Sequence, residues 1–529
     1  MIKNTFKLSS ISLAVMTCFG ANAAIYNVYD YQPVVDSSAR TYGTAIAPEM
    51  ATADCWSTTT CSQTSYNIAF EEQLTEQGFD YREEAPFRYT LGYQLLQEGK
   101  TGFETYCSNF LGYNGELCEE WVTNQYTNGY AKESAAFNNS LAYIEGAQIQ
   151  SSNNNVIVNS LIDANNALGT YYGGTLQNRT AFYADAALDT STYDQSKVWG
   201  KLVTGSNTYY VGSVSKQSTN DTNDYYSYGA VWDGTTLHTI PWVTNAAEDD
   251  RSIPQGSARD LATVNSIDYA VGYNADSDQR PVAAVFALSS LGSIPTNFVS
   301  RFQNDNGFQS SVLTSINNNG IAIGEVKYAT AINKSFANAL FYITDPANPN
   351  SSYKEFSGSI FFSGANGKAG GINNYDEVVG AIDYDTHKEN NGGSPRAQRA
   401  FIAPLSTSGK APLNNTPRYL DDLTNDGIVS SVNNQYRIID ATDINDAGVI
   451  SGSAYYCSGG YDTTDINSKC NGGIPGAELI RAVKLVPING ATNSDIQARG
   501  VSEEKVDRQG GTLGAVALIV LALFGFRRK

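Results

Sequence analysis

The stretch that decides the fold runs Ile316-Asn317-Asn318-Asn319-Gly320-Ile321-Ala322-Ile323-Gly324. An apolar residue precedes Asn, a polar turn follows, and a short apolar run ends in Gly seven positions after the Asn. Asn tolerates left-handed backbone and bonds its own main chain, so the first half predicts a tight turn entering a strand. Gly within that strand predicts a bulge or a close approach of another backbone. The same spacing recurs at Val264-Asn265 to Gly272, Ile372-Asn373 to Gly380 and Ile444-Asn445 to Gly452, with Asp268, Gly320, Asp376 or Gly448 third after the Asn.

Downstream of each turn comes Ala followed by large apolar residues: Ala284-Val285-Phe286, Ala339-Leu340-Phe341, Ala400-Phe401-Ile402 and Ala482-Val483. Two earlier units show it at Ala181-Phe182-Tyr183 and Ala230-Val231-Trp232, with degenerate turns near Gly169 and Gly212, making six copies. Successive Ala positions stand 49, 54, 55, 61 and 82 residues apart, and the longest gap holds Cys457 and Cys470. Within one unit the pattern predicts strands at Ser311 to Ser315, Ile321 to Val326, Ala337 to Thr344 and Ser352 to Ser357. Four short strands per roughly 50 residues is the size of a β-propeller blade. The expected fold is therefore an all-β propeller of six to eight blades, seven preferred, with a small helical insertion near the N-terminus; another all-β array is the alternative.

Residues 24–150 lack the repeat and predict a divergent blade with that insertion. Ile25 and Val28 lie on a first strand that would pair near Val483 to Leu485 and close the ring. Helix is expected over 116–145 (Glu116, Leu117, Trp121, Tyr126, Phe137, Leu141), broken at Asn128-Gly129. Residues 151–488 form the repeat body, and the polar stretch 489–509 is expected as a linker.

Composition limits the function. The chain has 529 residues, 34 Lys+Arg against 53 Asp+Glu, and a formal charge of -19. With no basic block in its body it cannot neutralise many phosphates, which argues against nucleic-acid partners. Charged residues make up only 16% beside 41% hydrophobic, so the acidity is not that of a disordered tail; 47 Gly and 34 Tyr suit a turn-rich β fold.

Both ends read as targeting signals. Lys3 and Lys7, an apolar stretch from Ile11 to Phe19, and Ala21-Asn22-Ala23 predict a signal peptide over 1–23, cut by signal peptidase after Ala23. At the other end Gly510, Gly511 and Thr512 lead into an uncharged run from Leu513 to Phe526, which stops at Arg527-Arg528-Lys529. Fourteen helical residues span about 21 Å, short for a stable anchor. Removing both signals takes away Lys3, Lys7, Arg527, Arg528 and Lys529 and no acid, leaving a body of about -24. Six cysteines remain in three close pairs, so bridges Cys55 to Cys61, Cys107 to Cys118 and Cys457 to Cys470 are expected, in an oxidising compartment.

The tail over 510–529 resembles the GlyGly-CTERM sorting signal of Gram-negative bacteria. That resemblance implies processing by a rhombosortase-like protease at Gly510, Gly511 and Thr512, a transient inner-membrane anchor, and then release to the cell surface or medium; an ordinary tail anchor is the alternative. The Asn-turn-strand-Gly pattern over 160–488 resembles the HAF-type extracellular repeat, from which the first two units depart by lacking the Asn. Taken together the chain is similar to an uncharacterised secreted family, a domain of unknown function, of marine Gram-negative bacteria. The resemblance implies no activity.

The search for chemistry yields no catalytic, cofactor-binding or metal residues. His238 and His387 are the only histidines, with no Ser or Cys nucleophile expected beside either. Asn274, Asp276 and Asp278, and Asp421, Asp422, Asn425 and Asp426 before Gly427, alternate as Ca²⁺ ligands do, but Gln279 and Val285 stand where an EF-hand needs Gly and Glu, so solvated loop acids are expected. Trp199, Trp232 and Trp242 suit either core packing or stacking on sugars. Two functions follow: a binding scaffold for an unknown extracellular carbohydrate or protein, and an extracellular polysaccharide hydrolase or lyase with carboxylates in a propeller channel. Acids from several blades lining one pocket would favour the second, and an apolar plug would exclude it.

Overall fold

The quoted stretch folds as its spacing predicts. Strand Phe308–Ile316 runs antiparallel to Ala322–Tyr328, which pairs with Asn338–Ile343 and then Tyr353–Glu355. The carboxamide oxygen of Asn317 accepts the backbone N–H of Asn319 (3.1 Å) and Ile321 (3.0 Å), and Gly320 takes φ 83°. Asn373 caps Tyr375 and Glu377, and Asn445 caps Ala447 and Val449, in the same way. The fourth copy shares the letters but not the turn. Asn265 and Ser266 take φ 50° and 66° in a two-residue hairpin that pairs Val264 with Ile267, so Asp268 already lies in the strand.

The computed structural model describes residues 24–501 apart from 33–39, 49–53, 75–98, 137–138, 173–178, 185, 191, 220–224, 235, 244–252 and 304. Among the described residues the strands form seven four-stranded antiparallel sheets, a seven-bladed propeller. Blades one to seven begin with inner strands Arg40–Ile46, Asn154–Leu161, Gln195–Thr204, Ser257–Val264, Phe308–Ile316, Gly367–Ile372 and Tyr436–Ile444. In blade seven Ile450–Cys457 and Glu478–Pro487 follow, and the outer strand is Tyr26–Tyr31 from the other end of the chain. Val28 lies opposite Leu485 and Tyr26 opposite Pro487, so the ring closes on the pairing expected.

The repeat glycines explain how the inner strands fit. A Cβ on Gly169, Gly212, Gly272, Gly324, Gly380 or Gly452 would sit 1.9 to 2.2 Å from a carbonyl oxygen of the neighbouring inner strand. Each of those inner strands bulges there. Blade one reverses the arrangement: Phe70 fills the second-strand place opposite Gly43 on the inner strand, and that glycine's own Cβ would meet the Gly452 oxygen at 2.2 Å.

Two expectations are corrected. Between Ile68–Gln73 and Ser140–Ile144 of blade one, helix runs over Lys100–Tyr106, Cys107–Leu111, Glu116–Val122, Thr123–Tyr130 and Ala131–Ala136. Helix thus begins earlier than 116, passes Asn128-Gly129 through a wider π turn, and ends before 140, where alternating burial makes Ser140–Ile144 a strand. The expected linker also begins docked: Arg499 is buried, giving its backbone N–H to Asp422 (3.0 Å) and its Nε–H to the Asp421 carbonyl (2.9 Å). The signals over 1–23 and 510–529 lie outside the described residues, and among the described residues no helix is long and apolar enough to cross a membrane.

Candidate functional site

The seven inner-strand bulges place one set of residues around the axis. Thr44, Asn159, Trp199, Arg259, Thr314 and Thr442, with Gly370 and Gly371 in blade six, surround an axial channel of about 250 Å³. The Arg259 guanidinium lies 4.0 Å over the Trp199 ring. Among the described residues the channel's lining is mostly polar, with Trp199, Ala369 and Ile372 as apolar members, and acids from several blades face it. Most of those acids hold the ring together. Asp260 accepts the Ser315 hydroxyl (2.7 Å) and the Ile316 N–H (2.9 Å), Glu325 accepts the Ala369 N–H (3.0 Å), and Asp443 accepts the Ile46 N–H (3.1 Å), each on the next blade. Glu71 and Asp421 bond Val158 and Ile438 likewise. An inner strand has an unpaired edge, and these carboxylates satisfy N–H groups that would otherwise face the seam. Burial raises the Asp260 carboxyl, against the pull of these bonds.

Beside the channel lies a chamber of about 370 Å³, lined by blades six and seven with Tyr42 of blade one. Lys368 lines both spaces. Its Nζ stands 3.3 Å from Asp440 Oδ2, and the other oxygen, Oδ1, is shielded from solvent without a hydrogen-bond partner. Across the chamber Asp383 accepts the Asn366 N–H (2.9 Å) and the Gln398 amide (3.0 Å). Burial, followed by these opposing bonds and the adjacent Glu389 charge, leaves its carboxyl pushed up to about 7. The guanidiniums are engaged, Arg396 with Asp383 itself, its Nη1 3.6 Å from Oδ2. Arg396 donates to the carbonyls of His387, Gly364 and Asn333, Arg399 pairs with Asp421 (3.3 Å) and Asp422 (2.8 Å), and Arg437 donates to Asn434, Tyr436, Thr463 and Asp465.

Two excursions wall the chamber. The helical insertion leaves blade one, buries Phe103, Cys107 and Tyr113 with Tyr225 of blade three and Tyr273 of blade four, and reaches blade six. There Tyr113 donates to Glu389 (3.0 Å) and the Gly112 carbonyl accepts the Asn391 N–H (2.9 Å), so the insertion reaches from blade one to blade six. Ile466, which also lines the chamber, stands on the long hairpin of blade seven, and its N–H bonds the Gly500 carbonyl (3.0 Å). Both excursions are cross-linked, by Cys107–Cys118 (Cα–Cα 5.8 Å) and Cys457–Cys470 (5.6 Å). The third bridge, Cys55–Cys61 (5.4 Å), sits beside the ring seam.

Other candidates are placed as follows. His387 does have a serine beside it: Ser394 Oγ lies 3.0 Å from Nε2, and Asp385 Oδ2 lies 3.9 Å from Nδ1. The expectation of no neighbouring nucleophile is corrected, because the loop folds back on itself between 387 and 394. The Ser394 carbonyl also lies 3.0 Å from Nε2, which favours a donor there rather than a base. His238 lies on the outer strand of blade three. Asp421 and Asp422 are not solvated acids but buried partners of Arg399 and Arg499. Asp426 accepts Ile428, Ser431 and Asn434, and Asp276 accepts Asp278 and Arg280, both closing turns. Among the described residues no three His, Cys, Asp or Glu converge as metal ligands. Trp232 is buried with its N–H on the Asp189 carbonyl, Trp242 stacks on Tyr228 at 4.1 Å, and Trp199 alone of the three faces the channel.

Residues 210–529 match a family model described as a protein of unknown function (DUF3466). No curated protein matches the chain. Solved structures similar to it include a protein of unknown function from Dyadobacter fermentans, 11% identical with TM-score 0.33, covering 66% of this chain and 90% of that one. A GH32 β-fructofuranosidase of Bombyx mori is 9% identical, TM-score 0.24, with 46% and 60% covered. The fructan 1-exohydrolase IIa of Cichorium intybus is 11% identical, TM-score 0.23, with 54% of each covered. The chain thus spans little more than half the length of the two glycosidases.

Proposed function

Since the chain belongs to the DUF3466 family of proteins of unknown function, a membership that lends it no activity, we propose from its geometry that it is an exported binding scaffold whose ligand enters the chamber between blades six, seven and one. The observation that carries this reading is the Lys368–Asp440 pair, with one carboxylate oxygen still unsatisfied, at the junction of chamber and channel. The chamber's size and the many polar side chains converging on it support a binding role. The three disulfides support an oxidising address. Under this reading signal peptidase cuts after Ala23, and a rhombosortase-like protease acts at Gly510, Gly511 and Thr512. The HAF-type repeat body then reaches the cell surface or medium of a marine Gram-negative host. Changing Gly510 and Gly511 is expected to leave an unprocessed C-terminus by mass spectrometry; unaltered processing would refute the tail reading.

A second reading is an extracellular polysaccharide hydrolase or lyase. It is favoured by Asp383, whose carboxyl burial pushes up to about 7, the direction a general acid needs, in the same chamber as Asp440. One experiment separates the two: the purified body is incubated with a panel of polysaccharides while retention and new reducing ends are measured together. Retention without cleavage rejects the hydrolase. Neither retention nor cleavage directs the scaffold reading to a protein partner.

A further inference from the structure

We propose that, while the chain is anchored by Leu513–Phe526, the body rests on the bilayer surface through an apolar corner formed by Ile428, Val429, Val432 and Val501. This rests on the tail reading above and assigns the face that the anchored body turns to lipid.

Apolar exposure is concentrated at this corner. Among the described residues eight large apolar side chains are exposed, and these four make up half of them. A single exposed Val or Ile is ordinary, whereas a group of them marks a contact. Three stand within five residues of one loop, and the fourth reaches the same place from the end of the chain. Asn425 gives its side-chain amide to the Gln497 carbonyl (3.1 Å), and a Cβ on Gly427 would sit 2.6 Å from Gln497 Oε1. Arg499 bonds Asp422 and Asp421, a few residues before the loop. The stretch 497–501 therefore packs along the base of the loop that carries the other three.

The loop bonds its polar groups to one another. Asp426 accepts the Ile428 N–H (3.0 Å), the Ser431 hydroxyl (2.9 Å) and the Asn434 amide (2.8 Å), and that amide also donates to the Ile428 carbonyl (2.9 Å). The Ser431 N–H bonds the same carbonyl at 3.0 Å. The loop is thus fixed from within, and its Ile and Val side chains are held out in solvent.

The sequence supplies the occupant. Only eleven residues, 502–512, separate Val501 from the uncharged run Leu513–Phe526. Even fully extended they reach about 40 Å, whereas a globular body of this length is about 60 Å across. With the run in a bilayer, the corner from which the chain leaves stays nearest the surface, and the tether keeps its apolar side chains there at high local concentration. An ionic contact is disfavoured, because the acidic body is repelled by anionic headgroups. Contact then comes from apolar side chains entering the interface.

The test uses the chain with its tail intact, reconstituted in phosphatidylcholine vesicles with or without bromine on the acyl chains. Tryptophan fluorescence is read against the parent, which has 5 tryptophans of its own. Val432→Trp places a probe on the corner, and Val203→Trp places one on the inner hairpin of blade three, where exposure is the same (62% against 63%). Expected is loss of the fluorescence added by Val432→Trp in brominated vesicles, unchanged in about 1 M salt, while that added by Val203→Trp is kept. Ile428→Trp is the second corner variant should the melting curve show the first to misfold. Chain that floats with the vesicles while neither probe is quenched, or both are quenched equally, overturns the docking face and leaves the tail reading intact. Quenching that salt abolishes overturns the apolar contact. Chain that does not float overturns the tail reading and the docking with it. A corner probe shielded from aqueous iodide but not quenched by brominated lipid, in particles of twice the mass, assigns the corner to a second copy and overturns the proposal.

Discussion

The side-chain amide of Asn317 donates to the backbone carbonyl of Asn373, its counterpart one blade on, at 2.9 Å. Asn373 in turn donates to Asn445 (3.3 Å), and Asn445 to Ala47 in blade one (3.0 Å). One residue type thus closes a turn with its oxygen and links blades with its nitrogen.

Replacing Asn373 by Ala removes both roles and strands the half-buried N–H of Tyr375 and the buried N–H of Glu377. Each unsatisfied buried donor costs about 1–3 kcal/mol, so Asn373→Ala should lower the urea midpoint clearly. Asn373→Asp keeps the acceptor and loses the link, and should fall between.

Gly380→Ala would drive a Cβ to 2.1 Å from the Lys368 carbonyl, which the strand can relieve only by moving. Overpacking of this kind costs about 1–3 kcal/mol or more. Gly146→Ala, whose Cβ meets nothing within 4 Å, is the near-neutral control in the same denaturation series.

Arg499→Met leaves Asp421 and Asp422 with one guanidinium where they had two. Breaking a buried ionic cluster from one side costs about 3–5 kcal/mol. Truncation after 488 removes the same arginine and should destabilise comparably by calorimetry; an unaltered melting temperature would show that residues 489–501 do not hold blades six and seven.

Asp383 links stability to pH. Its carboxyl ionises near 3.8 when exposed and about 7 in the fold, so between those values the folded state holds the extra proton. Stability is therefore highest below about pH 4 as far as this group goes, falls by up to about 1.4 kcal/mol per pH unit, and levels above 7. Burial raises Glu377 and Asp260 too, adding slopes of the same sign. Asp383→Asn should flatten the wild-type profile over pH 4–7 and leave the remaining slope unchanged.

How much of this could be read from the chain depends on how local each cause is. The turn at Asn317 was legible because its oxygen caps N–H groups two and four residues on. The nitrogen was not, since its partner lies 56 residues away. Gly324 announces a close approach; blade one, expected as a divergent blade, lacks that signal because Phe70 takes the place and Gly43 supplies the clearance from the other strand. The cysteine pairs were legible from spacing, but not that two of them wall one recess. Lys368 and Asp440 are 72 residues apart and match no motif, so only the ring brings them together. Asp421 and Asp422 looked like loop acids because their arginines come from elsewhere in the chain.

The outer strand of blade seven comes from Tyr26–Tyr31, and its partner Glu478–Pro487 is the last strand among the described residues. A chain cut short before Glu478 therefore holds its first strand with no neighbour, presenting Tyr26 and Val28 as an open adhesive edge. Closure must wait for nearly the whole polypeptide, a pairing of high contact order that favours slow final assembly. The ring is in this sense a proofreading device: the edge of Tyr26–Tyr31 is covered only once Glu478–Pro487 has been made.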